Sequence, residues 1–183
     1  MAFDNVTHVF GVKDCKIAKM TADSGSSPTY DTSVDVPGIQ EVTVRFNIEE
    51  KELQGDDVTL DIRSKLKSLE VSAVHAKISL DVLPVLLGGA TTESGTTPNI
   101  KKTYARAGAD VLTYFKIEAQ VVEVDDEDAD LHFVCYKCKV TNHEMGAKGE
   151  DYRTVSFSAK GIPCASNDSF YDLVANETAA AIA

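Results

Sequence analysis

Cys135 and Cys138 form a CxxC, the spacing of a zinc or redox pair. They fall in LHFVCYKCKV, which alternates like a strand. Residues three apart on a strand point to opposite faces, so the two thiols are expected to diverge. No second CxxC accompanies them. With Cys15 and Cys164, they read as buried thiols acting as small hydrophobes. Asp126, Asp128 and Asp130 match the first three spacings of a calcium loop, but Leu131 stands where glycine belongs and Lys137 where glutamate belongs. A solvated acidic hairpin turn is the expectation for DDEDAD. His75, Ser79 and Asp81 have the residue types of a triad, yet no G-x-S-x-G elbow presents the serine. His132, His143 and Glu144 flank a strand and a loop without metal-ligand spacing. No phosphate-binding glycine loop is present. No catalytic, cofactor-binding or metal-binding residue is assigned, no cofactor is expected, and the chain is not read as an enzyme.

The elements that would carry these residues are mostly strands. In residues 39–50, Val42, Val44, Phe46 and Ile48 alternate with Glu41, Thr43, Arg45, Asn47 and Glu49. In 57–63, Val58, Leu60 and Ile62 alternate with Asp57, Thr59, Asp61 and Arg63. This is the pattern of an antiparallel hairpin with one wet face, with Gly55 in the turn. Its polar side reads as mostly acidic. Residues 65–89 change period: Leu69, Val71 and Ala73 alternate, then Leu80, Leu83, Leu86 and Leu87 mark one helical face. Ser79 with Asp81 is expected to cap that helix, Pro84 falls early in it, and Gly88-Gly89 stops it. A strand at 111–124 places Val111, Phe115, Ile117, Ala119 and Val121 inside, with Lys116, Glu118 and Gln120 outside. Strands follow at 131–140 and 152–161. Phe170, Leu173 and Val174 fit either a helix or an extended arm. Residues 21–38 and 90–99 read as long polar loops. Glu93 to Pro98 echoes Asp23 to Pro28, which is shared turn chemistry. The sum is one mainly β domain over 1–183: an antiparallel β-sandwich or barrel with one flanking helix. Flexible arms are expected at about 1–9 and 165–183.

Composition narrows the function. The chain has 183 residues, 43% of them hydrophobic, enough for one real core. Its net charge of -11 argues against general binding to nucleic-acid phosphates. No apolar run approaches a membrane span, and no basic-then-apolar leader opens the chain, so synthesis in the cytoplasm is expected.

Several stretches in order resemble the major tail tube protein of long-tailed, non-contractile bacteriophages. Asp14-Cys15-Lys16-Ile17-Ala18-Lys19 comes first, followed by Thr21-Ala22-Asp23-Ser24-Gly25 and Val36-Pro37-Gly38-Ile39. Glu52-Leu53-Gln54-Gly55-Asp56-Asp57 joins the hairpin strands. Ser79-Leu80-Asp81-Val82-Leu83-Pro84-Val85-Leu86-Leu87-Gly88-Gly89 is the strongest piece, and Tyr152 to Gly161 is similar in style. The family usually has another residue at Pro84. The resemblance implies a β-sandwich with one helix, assembling as hexameric rings that stack into a tube through which the genome passes. It implies self-association, tape measure, tail terminator and distal tail proteins as partners, no membrane, and a place in the virion tail. Glu41, Arg45, Glu49, Asp57, Asp61 and Arg63 would face an acidic-lined lumen, through which DNA passes without specific binding. Leu80, Leu83, Leu86 and Leu87 would form an inter-subunit helix. The alternatives are a type VI secretion-like tube subunit or a decoration protein and, less favoured, a ligand-binding barrel or an enzyme.

Overall fold

The computed structural model describes residues 9–123, 129–150 and 152–182. The expected N-terminal arm, Asp126 and Asp128 lie outside them. In chain order the elements are β1 (Val9–Ala22), β2 (Thr29–Tyr30), β3 (Val34–Asp35), β4 (Ile39–Gly55), β5 (Val58–His75) and α1 (Val82–Leu87). Then come β6 (Ala90–Ser94), β7 (Lys101–Ala105), β8 (Phe115–Glu123), β9 (Asp130–Glu144), β10 (Val155–Gly161) and β11 (Tyr171–Asn176).

The fold is mainly β and antiparallel with one short helix, in line with the sequence pattern. One sheet runs β2-β1-β8-β9-β10-β5-β4, with β3 on the edge of β1 and β11 on β9. β6 and β7 form a separate hairpin; β7 falls where a short strand is expected at 100–106, and β6 where a loop is expected. The large sheet curls until β1 approaches β4. Its inner face closes on one core: Ile17 from β1, Leu69 and Val71 from β5, Phe115 and Ile117 from β8, Phe157 from β10. Period-2 alternation produces this directly. On β5, Leu69, Val71 and Ala73 are fully buried while Glu70, Ser72 and Val74 between them are half-buried on the other side.

Helix α1 plugs the core with Val82, Val85 and Leu86. Pro84 lies in its first turn, where a missing N–H costs nothing. The expected cap is absent. The Ser79 hydroxyl accepts the Asp81 N–H at 3.3 Å, one step too early, and the Asp81 carboxylate pairs with Lys102 at 2.6 Å. Gly88 and Gly89 both take positive φ, and the Gly88 N–H returns to the Pro84 carbonyl. A Cβ on Gly89 would lie 2.5 Å from the Ala105 carbonyl oxygen, so the helix stop is also where β7 passes.

Three further expectations are corrected. The tight turn of the β4–β5 hairpin is made by Asp56 and Asp57, both at positive φ (51° and 65°), as a two-residue turn of this twist requires. Asp57 is therefore a turn residue, not part of a strand face. The C-terminal segment is a strand, not a helix or a free arm: β11 pairs with β9 from Tyr171↔Cys135 to Asn176↔Asp130. Val111 precedes β8 and is 73% exposed, not internal.

The packing of α1 predicts a sharp contrast. Leu86→Ala should cost about 2–5 kcal/mol, because it empties a fully buried site. Leu80→Ala, at a half-buried position before the helix, should cost about 0.5 kcal/mol. Denaturant midpoints of the two variants check this.

Candidate functional site

Sheet hydrogen bonding carries β4 and β5 well past the core. Both strands pack at the root, but from Arg45 to Gln54 and from Val58 to Lys65 every residue is exposed. The outer eight residues of β4 reach roughly 25 Å at strand rise. Two β5 bulges shape this projection. Asn47 pairs with Ser68 and Ile48 with Leu66, leaving Lys67 as an extra residue. Leu53 pairs with Asp61 and Gln54 with Thr59, leaving Leu60 extra. Each bulge shifts the parity of β5. Ile62 therefore shares a face with Glu52 and Val58 shares the other with Gly55, so the regular alternation expected for 57–63 breaks. Apolar side chains stand on both faces of the tip: Ile48 and Ile62 on the core side, Leu53 and Val58 on the other, with Leu60 65% exposed against Gly55.

The root carries an ordered polar face. Directly opposed residues share a side, so the register of β4, β5, β10 and β9 defines rows across four strands. One row is Glu41, Val74, Ser156 and Glu144. The next is Thr43, Ser72, Ser158 and Asn142, in which the Ser72 and Ser158 hydroxyls hydrogen-bond at 3.1 Å. The third is Arg45, Glu70, Lys160 and Lys139. Along the hairpin the same face continues as Glu49 opposite Lys65, Lys51 opposite Arg63 and Leu53 opposite Asp61.

Five of the six expected lumen residues, Glu41, Arg45, Glu49, Asp61 and Arg63, do share this face. Its charge differs from expectation. The carboxylates Glu41, Glu49, Asp61, Glu70 and Glu144 are matched by Arg45, Lys51, Arg63, Lys65, Lys139 and Lys160, while the whole chain holds 29 acids against 18 bases. Glu49 pairs with Lys67 at 3.0 Å, and Asp61 with Arg63 at 3.6 Å. The face is balanced, not acidic, because the strands paired with β4 supply bases that the β4 alternation alone does not reveal.

The expected inter-subunit helix is largely spent inside the chain. Leu86 is fully buried and Leu83 is 5% exposed; Leu87 is half-buried against the core, and Leu80 lies before the helix. That stripe belongs to the subunit's own packing.

The cysteines are all free and buried, as expected, but the CxxC geometry is not. Phe115 pairs with Cys138 and Ile117 with Cys135, so a β9 bulge puts both thiols on one face. The Cys138 S–H donates to the Cys135 sulfur at 3.1 Å. That bond lowers the Cys135 pKa, and it pushes Cys138 up with help from burial. Gly161 makes the room; a Cβ there would lie 2.8 Å from the Cys135 sulfur. Burial pushes Cys15 up to about 12. Neither CxxC thiol is exposed, so neither meets a reagent in the folded chain.

A buried polar cluster escapes the sequence reading. Asp130 was expected in a solvated turn and Glu118 and Gln120 on an outer face, yet all three are buried, with His132. The Asp130 carboxylate accepts from Gln120, from His132 Nε2 at 3.0 Å, from Asn176 at 2.7 Å and from the Ala180 N–H at 3.0 Å. Lys16 donates to the Ile182 carbonyl at 2.6 Å. The chain's end is thus clasped over β8 and β9. No signal in the β8 alternation announces that cover. A second clasp holds the first long loop: Asp23 accepts the Ala165 and Ser166 N–H groups and Lys137 at 2.5 Å, and these bonds hold its pKa well below the usual range.

The residues considered for chemistry do not assemble. His75 Nδ1 lies 2.7 Å from the Lys77 carbonyl, away from Ser79 and Asp81, and His132 is committed to the Asp130 cluster. Among the described residues, no group of three His, Cys, Asp or Glu side chains is gathered for a metal, and no helix is long and apolar enough to cross a membrane. No known family model matches the chain, and no curated protein sequence matches it.

The Asp130 clasp makes a pH prediction. Burial pushes its carboxyl up, but the bonds from Asn176, Gln120, His132 and Ala180 outweigh that and lower its pKa. A depressed carboxyl contributes stability above its unfolded value of about 4, lost as pH falls through the folded value. Urea midpoints of the native chain should therefore fall below about pH 4. Asp130→Asn should be less stable at neutral pH and decline less steeply in acid.

Proposed function

We propose that this chain is a structural subunit whose copies close head-to-tail into rings, and that the rings stack into the tail tube of a long-tailed, non-contractile bacteriophage. The tube would be a conduit for genome delivery into the host, assembled in the cytoplasm and carried in the virion. Tape measure, tail terminator and distal tail proteins are its partners in that reading.

One observation carries it: the sheet β9–β10–β5–β4 has two open edges. Among the described residues, no strand pairs with the outer edge of β4. β8 stops pairing with β9 at Cys138, so among the described residues the outer edge from Lys139 to Glu144 carries no strand. Four consecutive antiparallel strands put β4 and β9 in opposite directions. A neighbour's β9 laid beside β4 then continues the alternation, and such a head-to-tail contact makes a ring where its rotation closes. Such a closure removes edges that a lone subunit leaves exposed.

The projecting hairpin supports the same reading. A two-stranded ribbon is marginal in water by itself, and this one exposes Ile48, Leu53, Val58, Leu60 and Ile62. A second copy beside β4 lies within its reach. The polar face, uncovered by the chain's own elements, would then line the bore.

Negative-stain microscopy of concentrated protein tests this. Hollow rings or tubes are expected from the native chain; a uniform monomer at every concentration contradicts the reading. Ile48→Asp with Leu60→Asp should abolish rings. Their melting temperature as monomers should stay within about 4 °C of native, since both positions are exposed.

A further inference from the structure

The row Arg45–Glu70–Lys160–Lys139 sets three bases against one acid at the root of the polar face. Lys160 and Lys139 stand directly opposite each other, an arrangement that is destabilising on a sheet. Among the described residues, none of the four forms an ion pair. The Lys139 ammonium leans over the Tyr114 ring at 5.1 Å, beside a shallow pocket of about 210 Å³ that Lys160 also lines.

Asp23 is spent on Lys137, whose ammonium lies over the same Tyr114 ring as that of Lys139, so this ion pair beside the row adds no net charge. Along the strands Thr43, Ser72, Ser158 and Asn142 intervene; Glu41 lies four residues from Arg45 and Glu144 five from Lys139, while Glu49, four residues the other way, is paired with Lys67. Four residues span roughly 13 Å at strand rise, against a screening length of about 8 Å at physiological salt. The row therefore acts as an independent band of net positive charge within a chain of net charge -11.

Resting on the tube reading, we infer that this band contacts the phosphate backbone of double-stranded DNA, so that the genome meets a wall of alternating charge bands. Arg45, Lys160 and Lys139 give each subunit a point of weak, sequence-independent phosphate contact. The uncharged Ser/Thr/Asn row bounds that contact on the side of Glu41 and Glu144. A polyanion on such a wall is neither expelled nor held, because each contact is weak and salt-dependent. Repetition around a ring would set identical stripes at each level of the tube.

Anisotropy of a short fluorescent DNA duplex, titrated with the full chain, tests the band. Binding should be measurable at about 50 mM salt and largely lost by about 200 mM. Lys139→Gln with Lys160→Gln should weaken it ~10-fold. Lys13→Gln with Lys101→Gln removes the same charge elsewhere and should change binding less than ~2-fold. Equal losses in the two double variants, or no binding by the native chain at low salt, overturn the band. Micrographs of the same samples separate the two readings. Tubes with binding indifferent to Lys139 and Lys160 reject this inference alone. Band-dependent binding without rings or tubes from the native chain rejects the tube, and with it the placement of the band in a bore.

Discussion

Backbone pairing between β4 and β5 runs on after the core that supports it has ended. At the root, Leu69, Val71 and Ala73 bury one face of β5, and Val42 and Val44 of β4 are half-buried against the same core. Beyond Leu66, residues 48–54 and 58–65 of the ribbon are all exposed. Ladder hydrogen bonds alone are close to neutral against water, so a ribbon of this length depends on side-chain cover. The bulges at Lys67 and Leu60 add to that demand, because they turn apolar side chains to both faces. The extension is stable at low cost only when something else lies against it.

The rest of the fold restricts where that cover can bind. The C-terminal segment is clasped over β8 and β9 through Asp130, Gln120 and Lys16, and the first loop is clasped to 165–166 through Asp23. Helix α1 is turned inward and spent on the core. Among the described residues, the outer edge of β4, the Lys139 to Glu144 edge of β9 and the hairpin tip are left open in the sheet β9–β10–β5–β4. These are the positions a head-to-tail neighbour would occupy. In the ring reading, an internal contact surface and an external one would be built from opposite ends of the same strand pair.

Much of this was legible from residue types. The alternation of 39–48, the run Leu69-Val71-Ala73 and the stop at Gly88-Gly89 each follow from local physics. What escaped depends on bulges and on cover. A single extra residue reverses every later side chain on a strand, and no local pattern marks it; hence Val58 and Ile62 part company, and Cys135 meets Cys138. Glu118, Gln120 and Asp130 look like surface residues until a segment about fifty residues later lies across them. The charge of the polar face was likewise invisible from β4 alone, because Lys139 and Lys160 arrive from β9 and β10 by register. The helical stripe was read correctly as apolar, but its leucines face the chain's own core.

Amide hydrogen exchange over residues 45–66, followed as protein concentration is raised, addresses the central claim most directly. A second copy pairing with β4 and covering the tip should slow exchange there by at least ~10-fold, while residues 115–120 in the core stay unchanged. Exchange in 45–66 that remains fast and independent of concentration, under conditions where the core is fully protected, would contradict the account.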